Sequence, residues 1–416
     1  MDLEPAQPAE TSPVASPERR PPRIRRLGAS MKILALASTL DLKYGLGCTP
    51  SWWQLLKGFQ ETGNEVIAIP YLGDPVESLW WRTYENPCSW ESKLFNAVSK
   101  SEPNGISGKT GPSVIVSKFL VKNHIRPRWK RHLDYVLSKE GNIDFVFMMN
   151  MPVNHFSGLP SHMKDEYGVK VVYYDGDMPT ILPQHARARE FKFSYYLGAD
   201  LSEYDIFFSN SKGAIPDIEK MGARNVRPLY YAADPELCQP LEVTKDYDVS
   251  FYGHGSQLRE EWLAKLIAEP SQRRPRMRFV VGGRDFQVPL GRAELIGPVP
   301  YSEFGRFVSR SRINLNITRS SHTTVYASAT ARPFELAAFG ACIVSQPYEG
   351  LQEWFSVGRE LLVAGSVEEA DEIYGQLLGD TETAGKLGQR ARERVLREHT
   401  FHHRAREVLE AVRTGG

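Results

Sequence analysis

The residues with the clearest chemical potential lie around Arg332 and Glu335. A guanidinium can hold phosphate oxygens through two parallel hydrogen bonds. A carboxylate in the first turn of a helix can accept hydrogen bonds from two neighbouring hydroxyls of a ribose. The pair is therefore a candidate binding site for a nucleotide, although a solvated Arg beside a helix-capping Glu would give the same spacing.

The elements around this pair follow the order strand, loop, helix, strand. Residues 312–318 alternate apolar and polar side chains, which predicts a strand. A polar loop leads to a helix over 332–340, with Pro333 at its first position and Gly340 at its end. A buried strand follows over 341–345. Ligands of doubly wound parallel sheets bind at the carboxyl ends of the strands, where this order puts the Arg and the Glu.

A second candidate site is the turn formed by Gly253, His254 and Gly255 between a predicted strand and a predicted helix. Glycines let the backbone approach a diphosphate, and the free N–H groups of a helix start favour an anion. Arg259 lies in the predicted first turn of that helix and can reach the same anion. A tight turn with a solvated Arg is the alternative interpretation.

A third candidate site is the polar loop that begins at Arg319 and includes Thr323. Its hydroxyl and cationic groups can donate hydrogen bonds to phosphate or sugar oxygens. A Ser- and Thr-rich surface loop is an equally good interpretation of the same residues.

The segments 332–341, 349–355 and 358–362 together resemble the nucleotide-binding domain of GT-B glycosyltransferases, and within them the CgeB-type (spore-maturation-protein-like) branch. The resemblance covers roughly residues 204–406. It implies an α/β fold of two Rossmann-like domains facing a central cleft, with a nucleotide-diphospho-sugar bound by the second domain. Many retaining members carry two Glu residues seven positions apart. Glu335 resembles the second, ribose-binding Glu, whereas Ala327 occupies the position of the first.

The chain is long enough for two domains of ordinary size. We predict four regions: a disordered tail over 1–30, an acceptor domain over 31–240, a donor domain over 241–398 and a terminal helix over 399–416. The resemblance suggests that the terminal helix packs back on the acceptor domain.

An inverting sugar transfer needs a general base from the first domain, usually Asp, Glu or His. Asp175 and Asp177 follow one predicted strand, and His155 follows another. We favour Asp177, because Asp-Gly-Asp-Met-Pro places a carboxylate at a strand end that faces the cleft. A turn-capping role is equally consistent with either Asp. An Asp-x-Asp metal site belongs to a different glycosyltransferase fold, so we predict no metal and no cofactor.

Composition limits the partners. Lys and Arg number 51 against 50 Asp and Glu, a balance that argues against a general nucleic-acid binder. The scattered cysteines and the lack of a long apolar run predict a cytoplasmic protein. Residues 118–132 are basic with interleaved aromatic side chains, which indicates either peripheral membrane contact or a solvated helix face. Trp80, Trp81, Trp90 and Trp129 suggest an aromatic acceptor side.

The leading hypothesis is a hexosyltransferase-like enzyme that moves a sugar from a nucleotide-diphospho-sugar to a small-molecule, glycan or lipid acceptor without a metal. A nucleotide-sugar epimerase or hydrolase of the same fold is one alternative. A catalytically degenerate nucleotide-sugar-binding protein is another, and Ala327 favours it. Fold alone distinguishes none of these.

Overall fold

The computed structural model describes residues 30–41, 51–90, 116, 118–180, 182, 196, 198–255 and 259–415. The predicted N-terminal tail, except Ser30, lies outside this part of the chain.

The first sheet, within the described residues, has seven parallel strands in the order β3-β2-β1-β4-β5-β6-β7. Both of its faces are covered. β1 directs Leu34 and Leu36 into one core and Ile33, Ala35 and Ala37 into the other. Strands buried on both faces read as continuous apolar runs, which is why the sequence showed them clearly. The bounds are β1 (Lys32–Thr39), β2 (Glu65–Leu72), β3 (Arg82–Thr83), β4 (Phe145–Met149), β5 (Lys170–Asp175), β6 (Ile206–Ser209) and β7 (Val226–Pro228).

The helices of this half lie on the two faces of the sheet. Their bounds are α1 (Ser51–Glu61), α2 (Arg126–Glu140), α3 (Leu159–Tyr167) and α4 (Ile215–Lys220). A π-helical segment, Val121–Ile125, runs directly into α2. Pro stands in the first turn of α2, α3 and α4, where a missing N–H costs nothing.

The second sheet has six parallel strands among the described residues, in the order β10-β9-β8-β11-β12-β13. The two parallel sheets with flanking helices confirm the predicted pair of Rossmann-like halves. The strand bounds are β8 (Tyr247–His254), β9 (Phe279–Arg284), β10 (Glu294–Gly297), β11 (Ser311–Asn316), β12 (Ile343–Ser345) and β13 (Leu362–Val363). The helix bounds are α5 (Glu260–Leu263), α6 (Glu269–Arg273), α7 (Tyr301–Ser309), α8 (Ser320–Thr323), α9 (Ala331–Ala338), α10 (Val367–Gly379), α11 (Thr381–Glu398) and α12 (Phe401–Thr414).

The last helix, α12, packs on the first half of the molecule. Phe401, Ala405 and Val408 share a core with Leu55 and Phe59 of α1. The helices approach closely because α1 has a glycine at position 58, where a Cβ would lie 2.8 Å from the carbonyl oxygen of residue 401. The second half of the chain is thereby tied back to the first sheet.

Residues 313–316 of β11 are buried on both faces of the sheet. Asn316 Nδ2 donates to Ser345 Oγ of β12 at 2.9 Å, and Asn314 Nδ2 donates to the carbonyl oxygen of Val308 in α7 at 3.2 Å. One sequence expectation needs correction here. Trp81 and Trp129 lie in the two cores of the first half, so they are not part of an aromatic acceptor surface. Trp90 is exposed.

Glu140 ends α2 as the centre of a charged cluster. Its carboxylate accepts hydrogen bonds from Tyr84 at 2.6 Å and Arg82 at 3.1 Å, and it lies 2.7 Å from Lys32 Nζ. Burial by itself would raise the pKa of Glu140, but these partners outweigh it and lower the pKa from 4.5 to about 2. The carboxylate therefore stabilises the fold above pH 4.5, and this contribution is lost as the pH falls toward 2.

We expect Glu140→Gln to lower the free energy of unfolding at pH 7 by about 1–3 kcal/mol, discounted for the exposure of Arg82. The difference from the parent should shrink as the pH falls, and urea unfolding across pH measures it. Glu382→Gln, at an exposed pair with Lys386, is the matched control. A constant difference at all pH values would contradict the assignment.

Candidate functional site

The turn after β8 passes very close to its neighbours. A Cβ on Gly255 would lie 2.3 Å from Phe286 Cα, and one on Gly253 would lie 2.7 Å from the ring of Phe251. Glycine is therefore required at both positions by packing alone. His254 Nδ1 lies 3.3 Å from Asp285 Oδ2, and burial lowers the pKa of His254.

Arg259 joins the ends of two neighbouring strands. Its Nη1 donates to the carbonyl oxygen of His254 at 3.2 Å, and its Nε donates to that of Ile317 at 3.2 Å. These carbonyls lie at the end of β8 and just after β11. The helix begins at Glu260, later than predicted, so Arg259 precedes its first turn. The guanidinium is thus fixed at the carboxyl edge of the second sheet, where ligands of parallel sheets bind.

The segment after β11 is buried rather than a surface loop. It forms the short helix α8, and Ser321, His322 and Thr323 are buried. Thr323 Oγ1 donates to the carbonyl oxygen of Ser320 at 3.2 Å. Arg319 keeps a buried Nε that finds no hydrogen-bond partner in the described part of the chain.

His322 lies where the two halves of the chain meet, and it is only 1% exposed. Burial holds the pKa of His322 well below its usual range; Arg319 and Arg259 act in the same direction, whereas Asp177 opposes them. The ring is therefore neutral near pH 7. Asp177, from the first half of the chain, therefore lies within electrostatic range of His322, from the second half.

Arg332 and Glu335 face each other one helical turn apart on α9, with Nη1 of the Arg 3.0 Å from Oε2 of the Glu. The guanidinium carbon lies 4.3 Å from the ring centroid of Phe304 and 5.2 Å from that of Tyr252. Burial raises the pKa of Glu335, against the influence of Arg332. α9 begins at Ala331, so Pro333 is its third residue and Glu335 lies beyond the first turn, both later than predicted.

The three predicted base candidates have different surroundings. Asp175 is buried, and its carboxylate accepts from the Asp177 N–H at 2.8 Å and from the Tyr196 hydroxyl at 2.5 Å. His155 is 1% exposed and contacts the Tyr71 hydroxyl at 2.5 Å inside the first core. Asp177 is half-buried in the turn after β5. The environment therefore favours Asp177 over the other two as a group that can meet a ligand.

Contacts between the halves hold this arrangement together. The Ser211 and Ser328 hydroxyls are 2.6 Å apart, and Asn210 Nδ2 donates to the carbonyl oxygen of Ala329 at 2.8 Å. The Gly213 N–H donates to that of Tyr326 at 2.8 Å. Sequence reasoning missed these residues; the only signal was the polar Ser-Asn-Ser run after a predicted strand.

Ala327 lies where two segments of the chain meet. It is fully buried with φ near 48°, and its N–H donates to the carbonyl oxygen of Glu349 at 2.8 Å. A Cβ on Gly350 would lie 2.8 Å from the Ala327 Cβ, so these two segments of the chain are packed closely together. Residue 327 is thus packed inside the molecule, next to the backbone at Gly350.

Several buried polar atoms along the facing sheet edges lack a hydrogen-bond partner among the described residues. They are Asn210 Oδ1 after β6, Asn316 Oδ1 in the last residue of β11, Arg319 Nε after β11 and Gln346 Nε2 after β12. Buried polar groups in native proteins are nearly always paired, so a cluster of exceptions marks a place for a polar ligand. Within the described ranges, no group of three His, Cys, Asp or Glu side chains is arranged to hold a metal ion.

Comparisons with known proteins agree with this layout. Residues 259–410 match the family model described as glycosyl transferase-like. No curated protein matches the chain at the level of sequence. A sucrose-phosphate synthase structure from Thermosynechococcus elongatus is similar at a TM-score of 0.63 and 14% identity, covering 92% of this chain and 98% of that one.

Two further structures contain nucleotide ligands. Anabaena HepE in complex with UDP and glucose is similar at a TM-score of 0.58 and 12% identity, with 91% and 98% of the two chains covered. An E. coli structure described as trehalose-6-phosphate bound with UDP-2-fluoro glucose is similar at a TM-score of 0.57 and 10% identity, with 91% of this chain and 98% of that one covered. The protein therefore has the GT-B fold, and its second half matches the glycosyl transferase-like family.

Proposed function

We propose that the protein is a hexosyltransferase-like enzyme that moves a sugar from a nucleotide-diphospho-sugar, of the UDP class, to an acceptor hydroxyl. The observation that carries this proposal is the row of unpartnered buried polar atoms at the sheet edges, with Arg319 Nε among them. The similar structures that hold UDP or a UDP-sugar support the donor class. Placement in the CgeB-type branch and in the cytoplasm remains part of the proposal.

The departing diphosphate is the group that most needs stabilisation. Arg259 is held at the carboxyl edge by two main-chain carbonyls, so little reorganisation is needed when it meets negative charge. Arg319 offers a buried donor in the neighbouring segment. We propose that these two cations perform the role that a divalent metal has in other glycosyltransferases, and that Gly253, His254, Gly255 and Thr323 line the donor site.

The acceptor hydroxyl must lose a proton as the new glycosidic bond forms. Asp177, from the first half, lies within electrostatic range of His322, and its turn is fixed through its own backbone. We propose that Asp177 accepts this proton in an inverting transfer. The neutral His322 beside it leaves the carboxylate as the local base.

Glu335 is proposed to bind the ribose hydroxyls of the donor, with Arg332 orienting its carboxylate at 3.0 Å. Hydrogen bonds to charged groups are worth about 1.5–3 kcal/mol, so Glu335→Gln should raise the dissociation constant for UDP about 10- to 100-fold. The Arg332 guanidinium is also proposed to hold phosphate oxygens of the leaving group, so Arg332→Ala should mainly lower kcat. Calorimetric titration and initial rates measure these effects, and Glu382→Gln, exposed on α11, is the matched control. Wild-type affinity and rate in the folded variants would contradict the assignment.

The proposal is tested by calorimetry with UDP, dTDP, GDP, ADP and CDP, each with Mg²⁺ and with EDTA. A ligand at a hundredfold excess over its dissociation constant stabilises the fold by about 2.7 kcal/mol, so a thermal shift provides an independent readout. We expect UDP to bind, with the same affinity in both conditions. Binding that needs Mg²⁺ would overturn metal independence, and no binding of any nucleotide would overturn the donor site.

Product analysis with a UDP-sugar separates transfer from the alternatives. Transfer gives a glycosylated acceptor, a hydrolase gives free sugar and UDP, and an epimerase gives a second nucleotide sugar. If the UDP-sugar binds and is left unchanged, the protein is a catalytically degenerate binding protein, the alternative that Ala327 favours.

A further inference from the structure

A basic segment precedes and opens α2 on the first half of the molecule. We call residues 118–131 the basic segment; it contains Lys118, Lys122, Arg126, Arg128, Lys130 and Arg131, and no Asp or Glu. The chain as a whole carries a net charge of only +1, so this concentration is local. Clusters of four to eight cations on an amphipathic helix are typical of surfaces that bind anionic lipids.

The outer face of the segment also carries apolar side chains. Val116 is 52% exposed and Phe119 is 61% exposed, while Leu120, Val121 and Ile125 turn inward to the core. Lys118 and Lys122 are exposed and form no ion pair with any described residue. Exposed aromatic and apolar side chains flanked by lysines suit the boundary between headgroups and acyl chains, whereas a nucleic acid or a soluble anion would leave them in water.

The segment is attached to the same edge of the sheet as the proposed base. Arg126 Nη2 donates to the carbonyl oxygen of Asn154 at 2.8 Å, in the loop after β4. That loop in turn meets the turn after β5, since the Gly176 N–H donates to Asn150 Oδ1 at 2.7 Å. The basic surface therefore starts beside the acceptor side of the cleft.

A groove of about 450 Å³ opens alongside the segment. Two guanidinium groups contribute to its walls, which suits a phosphate-bearing headgroup. The lining residues are Pro87, Arg128, Arg131, His132 and Tyr135.

We propose that the basic segment seats the protein on an anionic lipid bilayer, with Val116 and Phe119 entering the headgroup region. No described helix is long and apolar enough to cross a membrane, so the contact is with the surface. Together with the proposed transfer activity, on which this part of the inference rests, the position of the segment implies an acceptor carried on a lipid.

The test is co-sedimentation of the full chain with phosphatidylcholine vesicles, with and without about 30% phosphatidylglycerol. We expect binding only to the anionic vesicles, weakening as NaCl rises from about 50 to about 500 mM. Lys118→Gln with Lys122→Gln should lower the partition coefficient about thirtyfold, at about 1 kcal/mol for each cation. Phe119→Ser should lower it about tenfold or more.

Lys220→Gln with Lys386→Gln is the matched control, because both lysines are exposed on other helices and each pairs with an acid on its own helix. All tested side chains are exposed, so unchanged thermal unfolding is expected. Equal binding to neutral vesicles, no vesicle binding, or wild-type binding by the variants would overturn the proposal. The proposal would also be overturned if the protein bound inorganic phosphate in calorimetry, lost that binding with Arg131→Gln, and did not bind vesicles. Vesicle binding needs no nucleotide and UDP binding needs no lipid, so each proposal can fail by itself.

Discussion

Replacing Arg319 by Met is expected to lower kcat for sugar transfer about 10²- to 10³-fold, the usual effect of removing one preorganised donor from a site of developing negative charge. The reason is the position of the guanidinium. It follows β11 at the edge where Arg259 is anchored, and its buried Nε has no partner among the described residues. In the absence of ligand this donor is desolvated without compensation, whereas a diphosphate would pair it.

The same substitution separates function from stability. Because the Nε is unpartnered, Arg319→Met should leave the melting temperature of the ligand-free protein unchanged or raise it. The thermal shift with UDP should shrink. Arg273→Met is the matched control, since Arg273 is exposed on α6 and bonds only Glu368 at 2.8 Å. A variant that keeps the parent rate and the parent response to UDP would remove Arg319 from the site.

Replacing Asp177 by Asn is expected to lower kcat about 10²- to 10⁴-fold while the affinity for UDP stays unchanged. The turn should survive, because the backbone of residue 177 holds it: the N–H donates to Asp175 at 2.8 Å and the carbonyl accepts from the Thr180 N–H at 3.0 Å. An isosteric amide removes the proton acceptor and keeps the shape of the side chain. The acidic limb of the pH–rate profile should disappear with it.

Asp217→Asn provides the control for this change, since Asp217 is a surface acid on α4 that pairs with Lys220. Steady-state rates with a saturating UDP-sugar, together with calorimetry on each variant, measure both expectations. If Asp177→Asn transfers sugar within threefold of the parent rate, the general base is elsewhere and an inverting mechanism through this residue is wrong.

The two α/β halves were predictable because their signals are local. Short apolar runs such as residues 33–37 and 145–149 are typical of strands covered on both faces, and Gly340 marks the end of α9 with a φ near 70°. The Arg332–Glu335 pair was visible from spacing on one helix. Each of these features depends on residues within a few positions of one another.

The hydrogen-bond partners of the candidate bases were not predictable from the same sequence. Nothing local distinguishes Asp175 from Asp177, yet the Tyr196 hydroxyl and a backbone N–H occupy the first carboxylate. His155 looked like a base at a strand end, and the fold placed it beside Tyr71 in the core. These outcomes depend on side chains that are distant in the chain and meet only after the sheet has formed.

The sequence by itself determined the two parallel sheets, the glycine turn after β8 and the set of polar residues at strand ends, because periodicity and turn chemistry are properties of neighbours along the chain. The tertiary structure alone decided that Asp177 comes within electrostatic range of His322, and that α12 closes onto α1. It also decided that Ala327 is fully buried next to the backbone at Gly350. Such choices follow from packing between segments far apart in sequence, which local patterns do not encode.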